Sequence, residues 1–353
     1  MIGLLTFQDT NNFGSYLQTY GLYKKVVDLG YDCEIIDYKC PALVRKEVPH
    51  LPKLRKNLYK YIVNWVTNPQ RLKYQELQRF LHENAHVSEA CNRNNIKKIC
   101  DRYDNILVGS DMVWEMELQE GDLTYFLDFE TNASKKIAFA SSIGFPWKDG
   151  DKKKIKQFLT DFRHIAVREI QSADWVQDLI GKRPEVVCDP TMLLSIEEWR
   201  AYVNKEDVKG KYVLAYFEDD NNDCINTAIE YAHKHNLKVR RIEYGTSTPE
   251  YDVVYPKSIN EFLSLIFNAE LVVTASYHGM LFSLYFNRPL IYFLRRQTSR
   301  VDTLVEKLGI EICNGHNMSD RTQMPDMNYN KINEAIERYR NFSIACLSNM
   351  LAV

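Results

Sequence analysis

The chain has 353 residues, of which 45% are hydrophobic and 26% charged, a composition that excludes disordered and fibrous proteins. The 45 Lys and Arg residues nearly balance the 47 Asp and Glu residues, so the formal net charge of −2 creates no overall field that would attract nucleic acid or an anionic membrane. At about 100–200 residues per domain, this length predicts two domains or one large domain.

The first half of the chain alternates short apolar runs with longer amphipathic ones, a pattern that predicts βα units around a parallel sheet. The run Ile2–Phe7 predicts the first strand, and the helix that follows it ends at Gly30. The other predicted elements are strands at 33–38, 105–108, 136–140 and 164–167, a helix at about 149–162, and a polar helical insertion at about 42–100.

The alternation breaks at about 189–210, which predicts a linker, and a second βα series follows it. Its predicted strands are 212–217, 238–242, 271–274 and 290–293, and its predicted helices are about 222–236, 258–268, 278–286 and 300–308. We therefore expect two facing Rossmann-type domains, at 1–195 and 205–327. A final amphipathic helix at 328–353 is expected to cross back to the first domain.

No run approaches the roughly 18–20 apolar residues of a membrane span, and the N-terminus has neither a basic lead nor a cleavage-site pattern. We therefore expect a cytoplasmic protein whose eight cysteines are reduced thiols. No cysteines form a C-x-x-C pair, and the H-E-x-x-H string His82–His86 lies in the insertion without a third-histidine extension. We expect no metal site.

Polar loops follow the predicted strands at the sheet edge where ligands of open α/β sheets bind. The loop after the first strand carries Asp9, Asn11, Asn12 and Gly14 and opens directly into a helix. This arrangement suits a hydroxyl-rich or anionic ligand. The alternative is a solvated turn in which Asn12 caps the helix.

Two further loops of the first domain carry candidate residues. In Gly109-Ser110-Asp111 the glycine permits close approach of a ligand, and Asp111 is placed to fix a sugar hydroxyl or to act as a base. The alternative is that Ser110 or Asp111 caps a following helix. Arg168 follows the strand at 164–167, where its guanidinium suits a carboxylate or phosphate. The alternative for Arg168 is an ion pair with Glu169 or Asp174.

The second domain carries His278 between a strand and a helix, with Ser276 and Gly279 beside it. Histidine is the side chain that exchanges protons near neutral pH, so His278 is a candidate general acid. One strand later, three arginines predict an oxyanion site, although a run of charges is more often a solvated surface: Arg295, Arg296 and Arg300.

Several strings, in their order and spacing, resemble the polysaccharide pyruvyl transferase family over roughly residues 5–300. They are Asn12-Phe13-Gly14-Ser15-Tyr16-Leu17-Gln18, Val108-Gly109-Ser110-Asp111-Met112-Val113-Trp114, Val167-Arg168-Glu169, Asp189-Pro190-Thr191 with Leu193-Leu194, and Ser276-Tyr277-His278-Gly279 followed by Asn287-Arg288-Pro289.

The resemblance implies a GT-B-like fold of two Rossmann-type domains with a cleft between them. It implies transfer of the pyruvyl group of phosphoenolpyruvate onto a saccharide as a pyruvate ketal, in the biosynthesis of bacterial exopolysaccharide, capsule or cell-wall glycan. No cofactor is implied beyond this donor substrate. The acceptor saccharide is left open as lipid-linked, nucleotide-linked or polymeric. A lipid-linked acceptor would bring the protein into peripheral contact with a membrane.

Carried over by position, Arg168 matches a family arginine that binds phosphoenolpyruvate, and His278 matches the catalytic histidine. Many members have arginine where this chain has Ser276, and another has lysine where it has Thr298. The anion contacts are then expected from the three arginines of 295–300. Asp9 or Asp111 is expected to orient or deprotonate the acceptor hydroxyl.

Two other functions are compatible with this scaffold, because a fold alone does not determine function. In a nucleotide-sugar glycosyltransferase, Glu243 or Glu270 would hold a ribose and the arginines a diphosphate. The second alternative is a saccharide-binding relative without catalytic activity.

Overall fold

The computed structural model describes residues 1–50, 65–204, 211–217, 222–243, 247–295 and 298–352. The chain divides into two compact units, each with its own parallel sheet. Unit 1 comprises Met1–Trp65, Tyr74–Leu194 and Arg338–Val353, and unit 2 comprises Val66–Lys73 and Ser195–Glu337. The predicted fold class, α/β with two parallel-sheet domains, is confirmed.

The sheet of unit 1 has six parallel strands in the order β2-β1-β3-β4-β5-β6. The strands are β1 (Ile2–Leu5), β2 (Cys33–Ile35), β3 (Asn105–Val108), β4 (Lys136–Ser141), β5 (His164–Val167) and β6 (Glu185–Val186). Every residue of β1 and β4 is buried. Strands covered on both faces read as continuous apolar runs, which is why the sequence predicts them well.

Helices of unit 1 connect these strands. They are Phe13–Asp28, Pro41–Glu47, the Tyr74–Asn84 part of Pro69–Asn84, Ile96–Cys100, Asp149–Thr160 and Ile170–Ile180. The core of unit 1 is rich in aromatic side chains, among which Trp114 stacks on Phe126 with ring centroids 5.8 Å apart. Gly30 has a positive φ of 91° just after the first helix, as its predicted role at the helix end requires.

The sheet of unit 2 has five parallel strands in the order β11-β10-β7-β8-β9. The strands are β7 (Tyr212–Tyr216), β8 (Lys238–Ile242), β9 (Asp252–Val254), β10 (Leu271–Thr274) and β11 (Leu290–Tyr292). The helices are Ile196–Arg200, Asn222–His235, Ile259–Phe267, Tyr277–Tyr285 and Ser299–Leu308. None of the described helices has the length and apolarity needed to cross a membrane.

The last helix, Tyr329–Leu351, returns to unit 1 from residue Arg338 onward, as predicted. The Arg340 guanidinium donates to the Met192 carbonyl at 2.7 Å, and the backbone N–H of Cys188 donates to the Ser343 hydroxyl at 2.9 Å. Both Arg340 and Ser343 are buried. The helix therefore completes the structure around the segment that follows β6.

Gly21 lets the first helix approach the segment after β6 at backbone distance. A Cβ at this position would lie 2.5 Å from the Pro190 carbonyl oxygen. We expect Gly21→Ala to lower the free energy of unfolding by about 2 kcal/mol, because the backbone must shift to relieve the overlap. Urea unfolding measures the difference.

Gly150→Ala is the matched control for this substitution, since Gly150 is also helical and a Cβ there meets nothing within 4 Å. Alanine at position 150 should leave stability unchanged or raise it by up to about 1 kcal/mol. Equal stability of both variants would contradict the proposed close approach at Gly21.

Candidate functional site

The loops that follow β1 and β3 in unit 1 are joined by side-chain hydrogen bonds. The Ser15 hydroxyl donates to an Asp111 carboxylate oxygen at 3.0 Å. The backbone N–H of Ser110 donates to Gln18 Oε1 at 3.2 Å, and the Thr6 hydroxyl donates to the Ser110 carbonyl at 3.0 Å. The structure therefore brings together the two N-terminal strings that carried the family resemblance.

Asn12 caps the helix Phe13–Asp28. Its side-chain oxygen accepts from the Gly14 N–H at 2.8 Å, so the alternative interpretation of Asn12 as a cap is confirmed. Asn11 and Asn12 are half-buried, and Gly14 is buried. The ligand-binding role of Asn11, Asn12 and Gly14 stays a prediction.

Gly109 and Ser110 are held deep in unit 1. Gly109 has a φ of +123°, and a Cβ there would lie 2.1 Å from the Phe139 carbonyl oxygen, so only glycine fits. Ser110 is fully buried, and its hydroxyl has no hydrogen-bond partner among the described residues. The residues directly after Asp111 form turns and no helix, and Asp111 itself has a positive φ of 73°. The interpretation of Ser110 or Asp111 as a helix cap is therefore wrong.

Asp9 lies in a buried polar network that the sequence did not predict. Its carboxylate accepts from the Tyr74 hydroxyl at 2.5 Å and from Gln78 Nε2 at 3.0 Å, and Lys39 Nζ lies 3.2 Å away. Lys39 also contacts Asp37 at 2.9 Å. Burial raises the pKa of Tyr74, and its hydrogen bond to Asp9 raises that pKa further. Three donors therefore fix the orientation of the Asp9 carboxyl group.

Arg168 is 2% exposed and lies between two carboxylates. Its Nε donates to Glu169 at 2.7 Å, and its Nη1 donates to Asp189 at 2.9 Å. The ion pair with Glu169 confirms one of the sequence alternatives, whereas Asp174 pairs with Arg183 instead. The predicted contact of Arg168 with an anionic donor stays a prediction.

His278 in unit 2 lies in the first turn of the helix Tyr277–Tyr285, directly after β10. Ser276 caps this helix by accepting from the Gly279 N–H at 3.3 Å, so the residue at the position of the family arginine has a structural role. The His278 ring meets the Tyr277 ring edge-on at 5.5 Å between centroids and is half-buried. The helix N-terminus provides N–H groups and a positive dipole beside His278.

Two of the predicted arginines lie near the same strand ends. The Arg300 guanidinium lies 5.5 Å from the centroid of the Tyr277 ring. Burial raises the pKa of Tyr292, and the charges of Arg300 and Arg295 oppose this increase. The Tyr292 hydroxyl donates to the Ala275 carbonyl at 3.3 Å. Arg296 lies outside the described residues.

The H-E-x-x-H string does not form a zinc site. The helix that carries His82 and Glu83 ends at Asn84, and the backbone carbonyl of His86 accepts from the Ile35 N–H at 2.8 Å beside β2. His86 is therefore off the helix, and the two histidines do not share a helical face. Among the described residues, no group of three or more His, Cys, Asp or Glu side chains is arranged to hold a metal ion.

The comparison with known families matches the profile of the polysaccharide pyruvyl transferases to residues 12–296. This range includes Asp111, Arg168, His278 and Arg295, whereas Asp9 and Arg300 lie just outside it. The chain belongs to the polysaccharide pyruvyl transferase family. No curated protein sequence matches it significantly.

Solved structures that are similar to this family member share its fold at low identity. A Listeria monocytogenes protein assigned as a UDP-N-acetylglucosamine 2-epimerase is 9% identical with a TM-score of 0.52, covering 98% of this chain and 94% of its own. The structure of MnaA from S. aureus with UDP is 13% identical with a TM-score of 0.52. The match covers 100% of this chain and 97% of the MnaA chain. These likenesses confirm the predicted GT-B-like fold.

Sequence reasoning missed the partners of the candidate residues. Tyr74 and Gln78 reach Asp9 from a helix 65 and 69 positions along the chain, and Asp189 reaches Arg168 from 21 positions away. The sequence marked Asp189 only through the family resemblance, because Asp189 belongs to the string Asp189-Pro190-Thr191. The Tyr74 helix falls in the insertion, where no spacing rule predicts its register against β1.

Proposed function

We propose that this family member transfers the pyruvyl group of phosphoenolpyruvate onto a saccharide. The observation that carries the proposal is that His278 and Arg300 both lie against the Tyr277 ring beside the end of β10, while Arg295 follows the end of β11. Phosphoenolpyruvate carries a carboxylate and a phosphate, and guanidinium groups bind both by paired hydrogen bonds. A helix N-terminus adds a further favourable site for an anion.

The reaction needs one group that donates a proton to the methylene carbon, and it releases one proton from each of the two sugar hydroxyls. His278 donates a proton to the methylene carbon of phosphoenolpyruvate, which becomes a methyl group while positive charge develops on the neighbouring carbon. A sugar hydroxyl adds to that carbon and loses its proton. The C–O bond to phosphate breaks, and a second hydroxyl adds with loss of its proton. The products are a pyruvate ketal and inorganic phosphate.

Asp111 is the stronger of the two acceptor-binding candidates of unit 1. One of its oxygens accepts from Ser15 at 3.0 Å and the other from the Met112 N–H at 2.9 Å, which leaves lone pairs on both for a sugar hydroxyl. Asp9 is 4% exposed and already bound by Tyr74 and Gln78. We therefore assign contact with the hydroxyl to Asp111 and assign Asp9 to positioning the loop after β1.

Phosphoenolpyruvate is expected to raise the temperature of thermal unfolding, and Arg295→Gln and Arg300→Gln to reduce that increase. A ligand at about 100 times its dissociation constant adds about 2.7 kcal/mol to the stability of the folded state. Loss of one charge-assisted contact removes about 1.5–3 kcal/mol of binding free energy. The measurement is differential scanning fluorimetry with phosphoenolpyruvate, and separately with UDP- and GDP-sugars.

Arg200→Gln is the control, since Arg200 is an exposed arginine of unit 2 whose partner Glu197 lies 4.0 Å away. It should keep the full increase with phosphoenolpyruvate. An increase with the nucleotide-sugars alone would overturn the proposed donor and favour glycosyl transfer. Binding of phosphoenolpyruvate that survives both arginine substitutions would overturn the assigned site.

A further inference from the structure

Unit 1 contains a cavity of about 540 Å³ outside the residues discussed so far. It is lined by two loops, one within 115–121 after β3 and the other within 145–151 after β4. We propose that this cavity binds the sugar ring of the acceptor, and that it selects a ring without an anionic substituent. The role of this sugar as the acceptor rests on the proposed function, whereas binding of a sugar in the cavity rests on the residues that line it.

An exposed aromatic ring and a buried one line the cavity. Phe145 is 58% exposed, although large apolar side chains are usually covered, and Pro146 follows it. Trp147 is 7% exposed, and its indole N–H donates to the Trp114 carbonyl at 3.0 Å, which fixes the ring. The C–H face of a sugar ring is apolar and packs on such rings. This apolar surface accounts for one face of a bound sugar.

Carboxylates supply the polar part of the lining. The cavity has four acidic side chains and one basic side chain: Glu115, Glu117, Glu120 and Asp151 with Lys148. Lys148 contacts Glu117 at 2.8 Å, and Glu120 contacts Arg45. Carboxylate oxygens accept hydrogen bonds from sugar hydroxyls, and they repel a uronic acid or a phosphate. The four carboxylates outnumber the three cations beside them, Lys148, Arg45 and Lys46, so the lining disfavours phosphoenolpyruvate and favours a neutral or amino sugar.

Glu115 is held in place for such a role. It is 7% exposed, and its carboxylate accepts from the Phe145 N–H at 2.8 Å and the Glu117 N–H at 3.2 Å. Burial raises the pKa of the Glu115 carboxyl against the lowering effect of these two N–H groups. Backbone N–H groups of both loops therefore orient the Glu115 carboxylate, which can accept a hydrogen bond from a sugar hydroxyl.

The two chain segments that lead into the cavity are hydrogen-bonded to each other beside Asp111. The Ser142 N–H donates to the Asp111 carbonyl at 2.9 Å, and the Trp114 N–H donates to the Ser142 carbonyl at 3.1 Å. Both loops leave the sheet at the carboxyl ends of neighbouring strands β3 and β4. This connection is why we assign the cavity to the acceptor and not to an unrelated ligand.

The test is saturation-transfer NMR on the full chain with glucose, galactose, mannose, glucosamine and glucuronate. We expect at least one neutral or amino sugar to receive saturation, and Phe145→Ala to weaken its binding by about 2–10-fold, the contribution of one aromatic contact. Glucuronate should bind more weakly than glucose. Phe342→Ala is the control, because Phe342 is 46% exposed on the last helix and does not line the cavity.

Each outcome bears on the proposal separately from the proposed function. Sugar binding that is weakened in Phe145→Ala, in a protein that does not bind phosphoenolpyruvate, supports the cavity and overturns pyruvyl transfer. Sugar binding that is equal in Phe145→Ala and the wild type overturns the cavity, whatever the donor. The cavity assignment is also overturned if none of the five sugars binds. Equal affinity for glucuronate and glucose would overturn the proposed selection by charge.

Discussion

Replacing His278 with alanine is expected to lower the turnover number by about 10²–10⁴-fold while phosphoenolpyruvate still binds. The reason is that a general acid acts in the transition state, whereas we assign the anionic groups of the donor to Arg295 and Arg300. Pyruvate-ketal formation on a saccharide acceptor is followed by mass spectrometry, and donor binding by the increase in unfolding temperature.

His235→Ala is the matched control for this substitution. His235 is an exposed histidine of unit 2 that stacks on Tyr231 at 4.2 Å between ring centroids, and it has no place in the proposed mechanism. Turnover should stay at the wild-type value in this variant. Normal turnover in His278→Ala would exclude His278 as the general acid, and loss of donor binding in that variant would assign it to binding instead.

The second large effect is expected on stability, from Arg168→Met. This change leaves the carboxylates of Glu169 and Asp189 buried without their shared partner, at 2% and 0% side-chain exposure. Removing one member of a buried ion pair costs about 3–5 kcal/mol. Urea unfolding should show this loss. The double variant Arg168→Met with Glu169→Gln should recover part of it, because one of the two uncompensated charges is gone.

Arg183→Met provides the comparison, since Arg183 pairs with Asp174 at the surface, where both side chains are about half exposed. An exposed pair contributes about 0–1 kcal/mol. The family resemblance implies a different result for Arg168, namely weaker donor binding in a protein of normal stability. Wild-type stability of Arg168→Met with a lost response to phosphoenolpyruvate would support the donor-binding role and contradict the structural one.

The sequence predicts elements of this fold best where a strand is buried on both faces. β3 and β10 begin and end at the predicted residues, since each is a short apolar run that is almost entirely buried. β5 and β8 also match their predicted bounds, although both are only partly buried and β8 carries Lys238, Arg240 and Arg241. β6 and β9 were not predicted. They lie at sheet edges and have two and three residues, too few to establish a pattern.

The candidate site could be predicted only as far as the ends of strands. Strand order places the residues after β10 and β11 at one sheet edge, and the alternation of the sequence suffices to expect that. The partners of Asp9 and Arg168 come from tertiary packing. The sheet edge was therefore predictable, whereas the network around Asp9 and the carboxylate pair around Arg168 were not.

The return of the last helix to unit 1 has a consequence for synthesis on the ribosome. Unit 1 needs Arg338–Val353, and all of Ser195–Glu337 is translated before those residues. Until then, the buried positions of the Cys188 N–H and the Met192 carbonyl have no side-chain partner from that helix. The second sheet is thus fully synthesised before unit 1 can be completed, although the six strands of unit 1 are translated first. Nascent chains of this protein should therefore depend on chaperones for longest at their N-terminal unit.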